Sequence, residues 1–248
     1  VEEMKEAAEA VLETKGRIAL QYSTTEGYPP LREMIVRHMA RYGIVVDIDN
    51  VLITSGSQQA LDLIGKVLIN PGDKLLMENP TYLGALQAFT MYGADFVTVP
   101  ADDDGMVTDR LEDALRCGPK FIYALPNFQN PTGVTMPLER RRALIHTSDR
   151  YGIPIIEDDP YGQLRYEGEH IKPLVVLDAE CLECNVNGKY TGNVIYLSTF
   201  SKTLAPGLRM AWETSLPFQS TVTSPRPGLS WRSAAARSLR RSSATTSS

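Results

Sequence analysis

Two hydrophobic periods alternate along the chain. Met4, Ala8, Val11 and Leu12 recur at helical spacing, and so do Leu31, Ile35 and Met39, after which Gly43 closes the segment. A polar, turn-rich stretch, Tyr22 to Pro30, lies between these two helices. From residue 44 the pattern changes to short β-rich runs separated by helical segments. The runs are Val51-Leu52-Ile53, Leu75-Leu76-Met77, Phe96 to Val99, Phe121-Ile122-Tyr123, Ile153 to Ile156 and Val194 to Leu197. Strand and helix in this rhythm predict an α/β fold, a mostly parallel sheet with helices on both faces. Ligands of such sheets sit at the carboxyl ends of strands.

The pattern also sets the organisation: an N-terminal helical segment over 1–43, a large domain over 44–212, and a tail over 213–248. In the tail apolar periodicity is lost. Ser, Thr, Arg, Ala and Pro dominate, with five arginines against one acid, a composition that offers too little apolar surface to order a chain. A basic arm for nucleic acid and a lost reading frame are the two explanations, and the second is preferred because a recognisable pattern stops abruptly at Trp212.

Composition narrows the partners. At 248 residues, 43% apolar and 22% charged, the chain can bury a substantial core. A formal net charge of −5 argues against nucleic acid as the principal partner. No apolar run reaches the length of a membrane span, and the acidic start lacks the layout of a signal peptide, so a cytoplasmic protein is expected. The three cysteines give no disulfide framework; Cys181-Leu182-Glu183-Cys184 has C-x-x-C spacing but no second pair and no suitably spaced histidine, so no metal site is expected.

Polar motifs follow the predicted strands. Ser55-Gly56-Ser57-Gln58-Gln59 opens a helix, whose free N–H groups suit a phosphate, although any serine there could simply cap. Pro126 to Gly133 (Pro-Asn-Phe-Gln-Asn-Pro-Thr-Gly) follows Phe121 to Tyr123 and is either a ligand loop or a turn. Glu157-Asp158-Asp159-Pro160-Tyr161 places three mutually repelling acids at a strand end; they call for a cationic partner, water or a protonated ring nitrogen. Ser198-Thr199-Phe200-Ser201-Lys202, with Arg209 beyond, surrounds a lysine with anion-binding groups; a lysine amine forms a Schiff base with a carbonyl cofactor.

Taken in order, Ser57-Gln58-Gln59, Glu78-Asn79-Pro80-Thr81-Tyr82, Asn130-Pro131-Thr132-Gly133, Asp158-x-x-Tyr161, Ser201-Lys202 and Arg209 resemble the class I and II aminotransferases that depend on pyridoxal 5′-phosphate (PLP). The resemblance runs from about Ala19 to Trp212. Ala19-Leu20-Gln21-Tyr22, the Pro126–Gly133 string and Thr199 to Arg209 look like the α-aminoadipate/kynurenine aminotransferase branch, which also resembles the effector domains of GntR-type transcription regulators.

The resemblance implies that Lys202 carries PLP as a Schiff base and, once released, moves the proton. It implies that Asp158 pairs with the pyridine nitrogen, that Asn130 and Tyr161 hydrogen-bond the 3-hydroxyl oxygen, and that Tyr82 stacks on the ring. The phosphate is expected at Ser57 and Gln58, with Ser201 and Arg209 contributing and Thr199 beside them. Tyr22 is expected to reach the phosphate of a neighbouring subunit, which makes the intact parent a homodimer. The implied reaction is transfer of an amino group from an amino acid to a 2-oxo acid. A PLP-dependent lyase or decarboxylase on the same fold and the effector domain of a regulator are the alternatives, the latter without a winged helix ahead of it here. The substrate-binding small domain of the family is expected to be largely missing, so the chain reads as a fragment that keeps the cofactor site.

Overall fold

A computed structural model describes residues 1–181, 185, 186 and 189–214. The chain begins with α1 (Glu2–Ala19) and α2 (Pro29–Ala40). Strands and helices then alternate: β1 (Val51–Thr54), α3 (Ser57–Leu68), β2 (Lys74–Asn79), α4 (Leu83–Thr90), β3 (Asp95–Asp102) and β4 (Gly105–Met106). After α5 (Leu111–Leu115) come β5 (Ile122–Ala124), α6 (Leu138–Tyr151), β6 (Ile155–Asp158) and α7 (Leu174–Cys181). A small hairpin of β7 (Asn185–Val186) and β8 (Lys189–Tyr190) precedes β9 (Val194–Thr199) and β10 (Ala211–Thr214).

The main sheet has eight strands in the order β1-β10-β9-β6-β5-β2-β3-β4. The pairs β2·β3, β2·β5, β5·β6 and β6·β9 are parallel, whereas β10 runs antiparallel to both β1 and β9 and β4 turns back along β3. The expected mostly parallel sheet is present, and β10 is an addition to it. Its residues Ala211 and Trp212 were the last of the recognisable pattern, and the strand continues through Glu213 and Thr214, two residues into the segment read as tail. Thr214 is fully buried there, because strand pairing to β1 and β9 orders the backbone whatever the local composition. The rest of that tail, and Cys184 of the C-x-x-C spacing, lie outside the described residues.

Alternation along the strands divides the core. Leu76, Ile122, Ile155, Val194, Tyr196 and Trp212 face one side, where Ile35 and Met39 of α2, Leu144 of α6 and Leu177 of α7 cover them. Leu75, Met77, Tyr123, Ile156 and Leu197 face the other, under Leu61 and Ile64 of α3 and Phe89 of α4. Period-2 side-chain alternation in strands produces this split. α6 stops at Gly152, whose left-handed φ of 63° lets the turn close onto Asp149 and Ser148. By contrast α1 buries none of its residues; Met4, Val11, Leu12 and Ile18 are exposed. Among the described residues no helix is long and apolar enough to cross a membrane.

Candidate active site

The carboxyl ends of β2, β5, β6 and β9 open on one edge of the sheet, and the polar motifs follow them. β6 ends in Glu157 and Asp158, with Asp159 directly after it, and the three acids meet different surroundings. The Glu157 carboxylate accepts hydrogen bonds from the backbone N–H groups of Leu174 (2.7 Å) and Val175 (2.9 Å), at the start of α7. Burial raises its pKa to about 8 despite them. Asp159 accepts from the Asn127 amide (2.9 Å), the Gly162 N–H (2.9 Å) and the Tyr196 hydroxyl (3.1 Å). Backbone donors, an amide and a phenol thus satisfy Glu157 and Asp159, for which the sequence left a cationic partner, water or a protonated ring nitrogen open. The buried Arg141 adds a distant attraction to both of these acids.

Asp158 differs from its neighbours. It is buried, and its Oδ2 accepts the Tyr123 hydroxyl at 2.7 Å. Its Oδ1 is enclosed and has no hydrogen-bond partner among the described residues. Burial raises its pKa to about 6, the Tyr123 hydrogen bond opposes that rise, and the Asp159 charge adds to it. A buried carboxylate oxygen without a donor is costly, so this atom marks a place where a donor from outside the chain fits.

Around Asp158 stand several of the residues singled out in the sequence. Tyr82 precedes α4, and its ring lies so close to Gly84 that a Cβ there would sit 2.6 Å from the ring. Its pKa is raised, first by burial and then by the negative charge of Asp158 and by Tyr161, with Arg209 pulling it back down. These four side chains therefore share one electrostatic environment. Lys202 completes the group, with Nζ 5.6 Å from the centroid of the Tyr161 ring.

The start of α3 forms the other end of the site. Gly56 precedes it with a φ of 85°, and a Cβ built on Gly56 would fall 2.3 Å from Nη2 of Arg209. Arg209 itself adopts a left-handed φ of 49°. A guanidinium thus lies against the free N–H end of a 12-residue helix that begins with Ser57, an arrangement suited to an anion. The Gln58 side chain is committed to the Gly84 carbonyl (3.0 Å), which leaves its backbone N–H for that role. Thr199 places its hydroxyl 3.0 Å from both the Met210 carbonyl and the Ser201 hydroxyl, and it accepts the Ser201 N–H at 3.0 Å, so it shapes the turn leading to Lys202.

Asn130 sits in the loop after β5, and its side chain makes no hydrogen bond among the described residues. Its neighbours fix that loop: Gln129 donates to the Pro80 carbonyl (2.8 Å) and accepts from the Thr132 N–H and hydroxyl. Arg165 lies 4.9 Å over the Phe128 ring and joins the loop to the segment after Tyr161. Tyr22 stands apart from all of this, fully exposed. Sequence reasoning missed Tyr123, Asn127, Gln129 and Asp159. The last three were visible as polar residues inside quoted motifs, whereas Tyr123 in an apolar run looked like ordinary core.

The family described as "Aminotransferase class I and II" matches residues 1–245. An aromatic-amino-acid aminotransferase of Thermococcus litoralis is 47% identical over 224 residues, covering 88% of this chain and 51% of that protein. The crystal structure of the α-aminoadipate aminotransferase of Thermus thermophilus, complexed with N-(5′-phosphopyridoxyl)-L-leucine, is similar at a TM-score of 0.80 and 43% identity, covering 88% of this chain and 53% of that one. An uncharacterized HTH-type transcriptional regulator of Bacillus subtilis, YisV, is 36% identical over 198 residues, 79% of this chain and 39% of the regulator. The chain spans about half the length of the aminotransferases it matches.

Proposed function

The chain belongs to the class I and II aminotransferases, and from that premise we propose that it binds pyridoxal 5′-phosphate and that the protein it represents transfers an amino group from an amino acid to a 2-oxo acid. The observation that carries the reading is the buried, partnerless Oδ1 of Asp158 within the group formed by Tyr82, Tyr161, Lys202 and Arg209. The residues fit the cofactor at both ends. A carboxylate lacks one donor where a protonated ring nitrogen is required, and a guanidinium faces a helix start where a phosphate is required. When bound, PLP supplies an electron sink conjugated to the bonds at the substrate Cα.

The chain's own groups do the rest. Arg209, Ser201 and the N–H groups at Ser57 and Gln58 hold the phosphate, with Thr199 fixing the Ser201 turn. Tyr82 covers a face of the ring. Asp158 keeps a proton on the ring nitrogen, because a charge-assisted hydrogen bond to a carboxylate favours the protonated ring. Asn130 and Tyr161 bind the 3-hydroxyl oxygen. The Lys202 amine would hold the cofactor's carbonyl carbon and is the group that would move a proton at the substrate Cα. A second copy of the chain supplies Tyr22 to the phosphate, a role open to a side chain that makes no use of its own subunit's site.

The regulator reading draws on the similarity to YisV. Identity to the Thermococcus litoralis aminotransferase is higher and extends over more of the chain, so the enzymatic reading is preferred. Its test is a half-reaction: the chain loaded with PLP and given an amino acid without any oxo acid. Conversion of the cofactor to its amine form, with one equivalent of 2-oxo acid released, is the expected result. Release of carbon dioxide with the carbonyl form regenerated would establish a decarboxylase, and binding without turnover of any amino acid by a full-length protein that contains both this chain and the small domain would favour a sensor.

A further inference from the structure

Asp158 is aimed by a residue that no motif contains. Tyr123 lies on β5, which pairs in parallel with β6 so that Tyr123 stands opposite Ile156. Two residues further along β6, Asp158 returns to the same face of the sheet. The Tyr123 ring is wholly enclosed and meets Phe89 edge-on at 5.8 Å, so packing fixes where its hydroxyl points. A phenol buried this deeply needs an acceptor, and it has Oδ2 of Asp158 at 2.7 Å.

This bond has two consequences for the carboxylate. It removes the freedom to rotate about the bond to the carboxyl group, because one oxygen is tied to a ring that cannot move. It also occupies the oxygen that would otherwise compete as a proton acceptor. Oδ1 is the oxygen with no partner among the described residues, and so the one with both acceptor sites open to a donor.

We propose that Tyr123 is a positioning residue for the reaction: its hydroxyl locks the Asp158 carboxylate so that Oδ1 faces the ring nitrogen of the cofactor and that nitrogen keeps its proton. The inference rests on the PLP reading and adds a residue to it. Tyr123 acts through Asp158, to which its hydroxyl is bound.

The test uses Tyr123→Phe, which keeps the ring and its contact with Phe89 and removes only the hydroxyl. Two NMR signals and the PLP affinity are followed, none of them activity. In the chain without cofactor, carbon NMR of the Asp158 carboxyl, assigned with Asp158→Asn, should titrate at higher pH in the variant than in the unaltered chain. In the chain with nitrogen-15-labelled PLP, the ring-nitrogen resonance should move from the protonated towards the neutral position, and the PLP dissociation constant should rise about tenfold, as expected for a lost hydrogen bond to a charged group. A hydroxyl that only stabilises the fold would change the melting temperature and move neither signal, and that result would overturn the proposal while PLP binding still stood. Failure of the unaltered chain to bind PLP would overturn the functional reading and this inference with it. Should Tyr123→Phe not fold, 3-fluorotyrosine at position 123, a stronger donor of nearly the same shape, must move both signals in the opposite direction. No movement there also refutes the lock.

Discussion

The Asn127 amide donates to the Asp159 carboxylate across 2.9 Å, although 32 residues separate the two along the chain. One belongs to the loop after β5 and the other directly follows β6, so the bond ties together the two segments that carry Asn130 and Tyr161. Asp159 also accepts from Gly162 and Tyr196, and a Cβ on Gly162 would lie 2.5 Å from the carboxylate. Asp159→Ala should leave the buried Asn127 amide and Tyr196 hydroxyl and the half-buried Gly162 N–H without this acceptor and destabilise the fold by about 2–4 kcal/mol. Urea denaturation of the cofactor-free chain measures this. A loss under about 0.5 kcal/mol, the range of an ordinary surface substitution, would show that the tie is incidental.

Stability should fall as the pH rises from about 4.5 to 8. Burial raises the pKa of Glu78 to about 7, of Glu157 to about 8, of Asp158 to about 6 and of Glu213 to about 7. Each of these acids binds its proton more tightly in the folded chain than in the unfolded one. Their contribution is therefore complete below the unfolded carboxylate pKa and is lost as the pH rises through the folded values. Glu213 is the most accessible test, because its Oε2 is buried without a partner among the described residues and the shift has burial as its only cause. Urea midpoints between pH 5 and pH 8 should decline, and Glu213→Gln should flatten part of that decline. Midpoints that rise over the same interval would mean that these acids are ionised and satisfied in the fold.

Lys202 should carry the cofactor. After incubation with PLP and reduction with borohydride, peptide mapping is expected to place the pyridoxyl group on Lys202, and Lys202→Ala should take up no label there. Label on another lysine would remove the assignment, since it rests on the 5.6 Å approach to the Tyr161 ring that sets this amine beside the site.

Much of this architecture was legible before the structure. The runs at Val51, Leu75, Phe96, Phe121, Ile153 and Val194 all became strands of one sheet, since β-rich apolar runs between turn signals have few other outcomes. The antiparallel strand β10 was not legible. Ala211-Trp212-Glu213-Thr214 is too short and too mixed to stand out, and its order comes from pairing with β1 and β9 on either side. The three acids Glu157, Asp158 and Asp159 were read as a group in conflict because a sequence shows adjacency and not direction. Asp158 is turned away from the other two by the pleat. Glu157 meets a helix start, Asp159 meets Asn127, and of the three only Asp158 has an oxygen without a partner among the described residues. Tyr123 was hidden for the opposite reason, as an aromatic in an apolar run whose polar end matters.

The phosphate end of the site offers the sharpest separation between binding and folding. Gly56 has a φ of 85° and no room for a side chain, since an added Cβ would fall 2.3 Å from the Arg209 guanidinium. Glycine meets both demands, a left-handed backbone and a close approach. Gly56→Ala should therefore push Arg209 away from the α3 start and strain the turn at about 1 kcal/mol, without touching Asp158 or Tyr82. The expected outcome is a PLP affinity lower by about tenfold, the effect of losing a charged hydrogen bond. Pyridoxal, which has the same ring and aldehyde and no phosphate, should bind the variant and the unaltered chain alike. Titration of both compounds against both proteins gives the comparison directly. Equal losses for PLP and pyridoxal would mean that the substitution disturbs the site as a whole, and an unchanged PLP affinity would mean that the phosphate lies elsewhere than between Arg209 and Ser57.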